Sequence, residues 1–298
     1  MTATSGPDLA QALRRAAVRA TLAHSVRNTQ PWRFVLSASS LQIHADWTRR
    51  LRVLDPRGRQ LLISCGSAVF NARVALAADG YEAILQPFPD PAHPDLLAQL
   101  TVAEQSGEQV RIGALDSVVR VRRTNYHRFT DEPTPDIVID ALIRAARQEG
   151  GELVPITQPQ HRSVMAQLNR QAADLEEADP AYRAELRAWT TPTPPYFGDG
   201  AGVDDGRLCQ LLLGTRHDTP AAWLQAGQAL EHVWLETTQR GYAASPLTQV
   251  TEVAATNGLL RRELQLTMHP HVLLYIGKAP PTPASRRRRL VEVLDIVH

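Results

Sequence analysis

Ser25-Val26-Arg27-Asn28-Thr29-Gln30-Pro31-Trp32 carries a hydroxyl and side-chain amides, with no nucleophile–base pair and no metal-ligand spacing. Neutral amides donate and accept at once. Ser25, Asn28 and Gln30 therefore suit a flat, polar heterocycle held without added charge. A helical stretch precedes the segment and a strand-like run, Arg33–Leu36, follows it. That makes it a loop at an element end, where binding groups gather. On pattern alone it also reads as a polar turn stopped by Pro31.

Arg122-Arg123-Thr124-Asn125-Tyr126-His127-Arg128-Phe129 clusters cations with a hydroxyl and an amide. A guanidinium meets phosphate oxygens in a fork, so this run suits a phosphate; the plainer reading is a solvated basic turn. Gly241-Tyr242-Ala243-Ala244-Ser245-Pro246-Leu247-Thr248-Gln249 follows a helix exit and is uncharged. Arg286-Arg287-Arg288-Arg289 reads by composition as a solvated charge run. His269-x-His271 has a metal-like spacing without a third ligand and reads as a turn histidine and a strand-start histidine, so no metal is expected. No Gly-x-Gly-x-x-Gly follows a strand, and Gly-x-Ser-x-Gly is absent, which argues against an integral dinucleotide fold and a serine hydrolase.

The elements that must position these residues repeat within the chain. Asp55-Pro56 opens a helical pattern that closes at Gly80, with Leu62, Val69, Phe70, Val74 and Leu76 on its buried side. Thr219-Pro220 opens a second, closing at Gly241, with Leu224, Leu230, Val233 and Trp234 inside. Asp55 and Thr219 suit an N-cap and the glycines suit the exits. Gly66, Ala68, Gly80 and Tyr81 stand at the same offsets as Gly227, Ala229, Gly241 and Tyr242. Small residues inside a helix admit a second backbone. Leu13-Arg14-Arg15 and Arg122-Arg123-Thr124 rhyme as the starts of the two units. Asp8–Leu22 reads as a helix with Asp8 and Gln11 as a capping box, and Pro135–Gln148 as a helix capped by Thr134. Arg33–Leu36 with Leu41–Ala45 reads as a hairpin. Glu82–Gln86, Gln99–Ala103, Glu152–Ile156 and His271–Ile276 read as strands, Gln160–Ala178 and Ala181–Trp189 as helices. Glu104–Gly113 reads as a polar linker. Thr190–Asp205 is dense in Pro and Gly; with Trp189, Tyr196 and Phe197 it reads as a lid.

The 298 residues suggest about two domains. Hydrophobic residues make up 43% and charged residues 21%, the balance of a folded chain. A net charge of +1 argues against a nucleic-acid partner. The N-terminus lacks a signal pattern and no apolar run of membrane-spanning length is expected. Cys65 and Cys209 sit in apolar runs and read as buried free thiols, which fits a reducing cytoplasm.

Ser-x-x-Asn-x-Gln-Pro-Trp resembles the flavin-facing loop of the nitroreductase family, FMN enzymes that shuttle hydride from a nicotinamide to a small electrophile. Together with Leu54-Asp55-Pro56-x-Gly58-Arg59-Gln60, Arg122–Asn125 and Ala243–Gln249, it resembles most the fused, two-halved actinobacterial branch called the Acg family. The resemblance implies an α+β fold, two nitroreductase-like halves in one chain (residues 1–110 and 111–298, a lid insertion near 179–216), with antiparallel-rich sheets and flanking helices. It implies that Ser25, Asn28 and Gln30 face the ring. It places Arg123, Asn125 and His127 in the motif Arg-x-Ser-x-basic-x-Phe at the phosphate, with Arg122 and Thr124 beside them; His127 departs from the usual Arg, and Arg122 or Arg128 would supply the charge. It sets the backbone of Ser245, Pro246, Leu247 and Thr248 along the ring edge; Thr248 stands where the family often has an acid. It returns Arg287 and Arg288 to the phosphate. One FMN site per chain is implied, the other being vestigial, and the chain is expected as a monomer. The expected activity is reduction of small electrophiles such as nitroaromatics or quinones by NADH or NADPH, with no catalytic side chain. The alternative is a protein that sequesters FMN beneath its lid.

Overall fold

The computed structural model describes residues 8–104, 109–189 and 208–297. In chain order the elements are α1 (Leu9–Ala20), β1 (Trp32–Leu36), β2 (Ser40–Ala45), α2 (Arg59–Ala78), β3 (Tyr81–Pro87), β4 (Leu96–Glu104), the short α3 (Gln109–Gly113) and α4 (Asp116–Val119), α5 (Asp136–Gln148), β5 (Glu152–Pro155), α6 (Pro159–Ala178), α7 (Pro180–Trp189), β6 (Cys209–Thr215), α8 (Pro220–Gln239), β7 (Ala243–Leu247), α9 (Gln249–Glu252), α10 (Ala254–Glu263), β8 (His269–Gly277) and β9 (Leu294–Ile296). The segment Thr190–Asp205, with Tyr196 and Phe197, lies outside the described residues.

Two sheets form, ordered β3-β4-β2-β1-β9 and β5-β6-β8-β7. Every pairing is antiparallel except β1 with β9. Taken in the same direction, β3-β4-β2-β1 and β7-β8-β6-β5 are one order. Each sheet is preceded by a helix, α1 or α5, and has its long helix, α2 or α8, between its second and third strands. The fold is thus α+β and duplicated. The copies share even an irregularity: the register slips between Ile43 and His44 in one sheet and between Leu213 and Gly214 in the other. That leaves Leu97 and His271 as the extra residues of matching bulges.

The duplication corrects one pairing read from the sequence. Leu13-Arg14-Arg15 lies in α1, and its counterpart is in α5, not at Arg122–Thr124. Ala12-Leu13-Arg14-Arg15-Ala16-Ala17 matches Ala141-Leu142-Ile143-Arg144-Ala145-Ala146, and in both helices the Ala and Leu positions are buried. Small residues on that stripe let each helix lie close on its long neighbour.

The long helices meet at Gly66 and Gly227. A Cβ on Gly66 would stand 2.0 Å from the Leu224 carbonyl oxygen, and one on Gly227 would stand 1.9 Å from that of Ile63. No side chain fits there, so only glycine permits the contact. Both helices end at a glycine with positive φ, Gly80 at +89° and Gly241 at +73°, where a Cβ would be strained. Thr219 caps α8 by accepting from the Ala222 amide at 3.3 Å. Helix α2 starts later than Asp55-Pro56 suggests, yet Asp55 still accepts from the Leu61 amide at 2.9 Å. By length and composition α2 is apolar enough to span a bilayer, contrary to the sequence reading, but 89% of that stretch is buried in the protein. One apolar core runs through both halves, from Leu13, Phe34 and Ile43 to Leu213, Trp223 and Leu230. Each such side chain contributes roughly 1.5–3 kcal/mol on burial.

Some local expectations change. Thr134 does not cap α5; Pro135 holds the cap position and Thr134 donates to the Ile276 carbonyl. Asp8 caps α1 through the Ala10 amide, with no return bond from Gln11 among the described residues. The end of the expected polar linker folds as α3. His269 is already inside β8. Residues 209–215, expected in the insertion, form a central strand.

Candidate functional site

The loop after α1 is pinned from both sides. The Val26 amide donates to Ser64 on α2 at 3.1 Å, and the Gln30 amide donates to the Ser25 hydroxyl at 3.0 Å. Between them Arg27, Asn28 and Gln30 take φ of +47°, +56° and +48°. Such residues normally avoid this region, and it persists where surroundings over-determine it, commonly at binding sites. The loop's outer neighbour is the insertion of the second half. Tyr182, Leu186 and Trp189 of α7 pack on Val26, Leu51 and Leu54, and Glu185 accepts the Arg52, Val53 and Leu54 amides.

The Asn28 and Gln30 amides are turned onto the C-terminal arginine run. Asn28 Nδ2 donates to the Arg286 carbonyl at 3.1 Å, its Oδ1 accepts from Arg287 at 3.2 Å, and Gln30 Oε1 accepts the Arg288 amide at 2.7 Å. The two arginines then part. Arg288 pairs with Asp46 at 3.2 Å and with the Gln30 carbonyl, a holding role. Arg287 reaches inward, donating to the Leu22 and Ala23 carbonyls.

There it meets Arg122, which donates to the same Leu22 carbonyl at 3.2 Å. Arg122 is 2% exposed, lies 3.1 Å from the fully buried Glu231, and stacks over Trp234. His24 packs against the same indole, ring centroids 4.7 Å apart and the planes tilted by 39°. Burial, then Arg122 and Arg287, push the His24 pKa down to about 3, so the imidazole is neutral. Arg287 is pushed down to about 10 by burial and by Arg122. Arg123 sits alongside, anchored to the Arg120 and Arg122 carbonyls, and its pKa is lowered by burial and Arg122. Arg122 and Arg287 thus act on one carboxylate, Glu231, with Arg123 near Arg287, and Arg122 Nη1 and Arg287 Nε are buried without a hydrogen-bond partner among the described residues. Buried unpaired donors are costly, and a phosphate dianion is the group that would satisfy them.

Beside this cluster the second half contributes an open sheet edge. Thr124 bridges Ala244, and the Asn125 amide donates to the Ala244 carbonyl at 2.8 Å. Strand alternation then turns Ser245 and Leu247 toward β8 and Pro246 toward the open edge. Pro246 has no N–H, so the edge presents its carbonyl there, and the next amide is that of Thr248. The backbone expected along the ring edge is therefore a mixed edge of one carbonyl and one amide. The Asn125 side chain closes a local turn, donating to the His127 carbonyl and accepting its amide. One helical turn beyond Thr248 lies Glu252, whose pKa burial raises to about 7. Arg27 faces Glu252 and Glu176, and Glu176 accepts from Tyr182 at 2.6 Å and Gln249 at 3.0 Å.

The structure therefore gathers the loop of Ser25, Asn28 and Gln30, the run from Arg122 to His127, the strand Ser245–Leu247 with Thr248, and Arg287 with Arg288. Sequence reading missed His24, Glu231 and Glu252 and took Trp234 as core alone. Glu231 had a signal: a carboxylate within the buried stripe of Gly227, Leu230 and Trp234.

No family model matches the chain. A Mycobacterium tuberculosis protein with the provisional name NAD(P)H nitroreductase is 32% identical, over 98% of this chain and 93% of its own length. The provisionally named NAD(P)H nitroreductase acg of the same organism is 27% identical over 92% of each. Among solved structures, a Bacteroides fragilis nitroreductase with bound FMN aligns at a TM-score of 0.44 and 14% identity, over 62% of this chain and 98% of its own. One from Desulfitobacterium hafniense, also with bound FMN, aligns at 0.44 and 14%, over 58% and 94%. The chain belongs to the nitroreductase family, an oxidoreductase family, in the branch of the acg protein.

Proposed function

We propose that the chain binds one FMN and uses it to reduce small electrophiles, such as nitroaromatics or quinones, with NADH or NADPH as donor. The observation that carries this reading is the set of buried donors on Arg122 and Arg287 that have no hydrogen-bond partner among the described residues. They belong to a cluster in which Arg122 and Arg287 share Glu231 and Arg123 stands close by, beside a neutral strand edge. In this reading Arg122, Arg123 and Arg287 bind the phosphate, and neutral His24 adds no charge of its own. Ser245–Thr248 orient the ring, with the Pro246 carbonyl as acceptor and the Thr248 amide as donor. Asn28 and Gln30 act by holding the arginine run in place. When bound, FMN supplies the two-electron chemistry, and no side chain is needed as a general base. Residues 1–110 and 111–298 are the two halves, and because both lie in one chain a monomer is complete.

The test is the absorption spectrum of the purified, FMN-reconstituted protein under anaerobic conditions, before and after NADH or NADPH. A flavin spectrum that bleaches, at one FMN per chain, is expected. A bound flavin that never bleaches would replace this reading with sequestration. Failure to retain FMN would overturn the cofactor assignment.

A further inference from the structure

The duplication permits a comparison at a second place. In the first half, the groove between α1 and α2 presents Arg15 and Arg19. Arg15 pairs with Asp79 at 2.7 Å and with Asp116 of α4 at 2.9 Å, and Arg19 pairs with Asp116 at 2.8 Å. That groove is neutralised and closed by a neighbouring helix. In the second half, the matching groove lies between α5 and α8. Arg144 stands where Arg15 stands, and Arg240 caps α8 where Asp79 caps α2. The acid of the first groove is replaced by a second cation.

This groove is open, with a volume of about 500 Å³, within the usual range of small-molecule sites. Four arginines line it: Arg73, Arg111, Arg144 and Arg240. Arg73 is bound to Glu149, and Arg240 pairs with Glu236 at 2.9 Å. His232 also reaches Glu149, at 3.3 Å, so that carboxylate is already shared. Arg111 and Arg144 pair with no carboxylate among the described residues. Two unneutralised guanidinium groups along one concave wall repel each other, and an anion between them reverses the sign of that interaction. Ile112, Ala141 and Ala145 add apolar lining to the same groove.

We infer that the α5–α8 groove is a second ligand site, distinct from the cluster around Arg122 and Arg287. It takes a small phosphoryl-bearing molecule, with the oxyanion on Arg111 and Arg144 and the remainder on the apolar lining. Its described lining comes from helices and their caps, with no strand edge among the described residues, which sets it apart from the first site.

The test is calorimetric titration of inorganic pyrophosphate into the protein already loaded with FMN. One pyrophosphate per chain is expected to bind. The double variant Arg111→Gln/Arg144→Gln should weaken it roughly ten- to a hundredfold, the loss of two charge-assisted contacts. Both side chains are exposed, so its melting temperature should equal that of the wild type. Raising free FMN to large excess should leave the pyrophosphate affinity unchanged. Absence of saturable binding would overturn the inference, as would equal affinity in the double variant. Competition by the excess FMN instead would assign the anion to the first site and remove the groove.

Discussion

The two ends of the α2–α8 pair are built from the same scaffold and finished differently. At one end, residues 21–31 join α1 to β1, long enough for a strained loop that faces the C-terminal arginine run. At the other, residues 149–151 join α5 to β5, a tight exit through Gly150 at φ +70°. The first end has Trp234 with His24, Arg122 and Glu231, and keeps donors unpaired. The second has Phe70 stacked on His232 at 4.6 Å, with Arg73 bound to Glu149. An aromatic pair, an arginine and a glutamate occur at both. What separates the two clusters is whether the arginine beside the glutamate is left with a donor to give.

The largest effect should test the symmetry itself. Gly66→Ala and Gly227→Ala should each destabilise by about 3 kcal/mol or more, because the added Cβ meets backbone that cannot move aside. Gly258→Ala in α10, with open space around it, should change little or stabilise by about 0.5–1 kcal/mol. Urea denaturation measures all three, and unequal losses at the two crossing glycines would break the twofold picture.

Next comes the buried charge. Glu231→Gln leaves Arg122 unpaired and should cost roughly 3 kcal/mol in flavin-free protein. Added FMN should recover part of that loss, while Glu149→Gln should show no FMN-dependent recovery. Thermal melts with and without FMN give the answer; equal recovery would erase the distinction between the two ends.

Within the first end, Arg287→Ala should weaken FMN by about 1.5–3 kcal/mol, and Arg123→Ala should weaken it far more than Arg27→Ala. Arg288→Ala should act on stability, through Asp46, and much less on FMN. Equal FMN affinities for the Arg287 and Arg288 variants would dissolve the division between them.

The matching bulges offer a pH test. His271 is fully buried, and its pKa is pushed down to about 3 by burial and then by Arg59. The unfolded chain takes up the proton first, so stability is full above about pH 6.5 and falls as pH drops toward 3. At pH 5 the loss is about 2 kcal/mol. His271→Leu, copying Leu97 of the other bulge, should flatten that acid limb. An unchanged limb would show that other groups carry it. Smallest of all, dilution to a monomer followed by sedimentation should leave flavin retention unchanged; loss in step with dissociation would mean that a second chain completes the site.

The sequence carried more of the fold than of the site. Periodicity and caps marked α2 and α8, and the shared offsets of Gly66 and Gly227 marked where a second backbone could come close. The hairpin, the third and fourth strands and helices α6 and α7 were legible for the same reason. Strands β6 and β9 were not: Cys209–Thr215 is apolar without alternation, and Leu294–Ile296 becomes a strand only by lying beside β1. Motif types located the loop, the arginine runs and the β7 strand. They could not say that Asn28 and Gln30 hold the arginine run.

Local chemistry therefore fixed what each segment could be. Spacing and caps mark a helix within its own segment, whereas the strained loop is held in its conformation by partners on other elements. Which cation keeps a free donor depends on partners far along the chain: Asp46 takes Arg288, Glu231 faces Arg122, and Arg287 is left reaching inward. Those pairings are set by distance in space, and the tertiary structure alone brings residues 22, 122, 231 and 287 together.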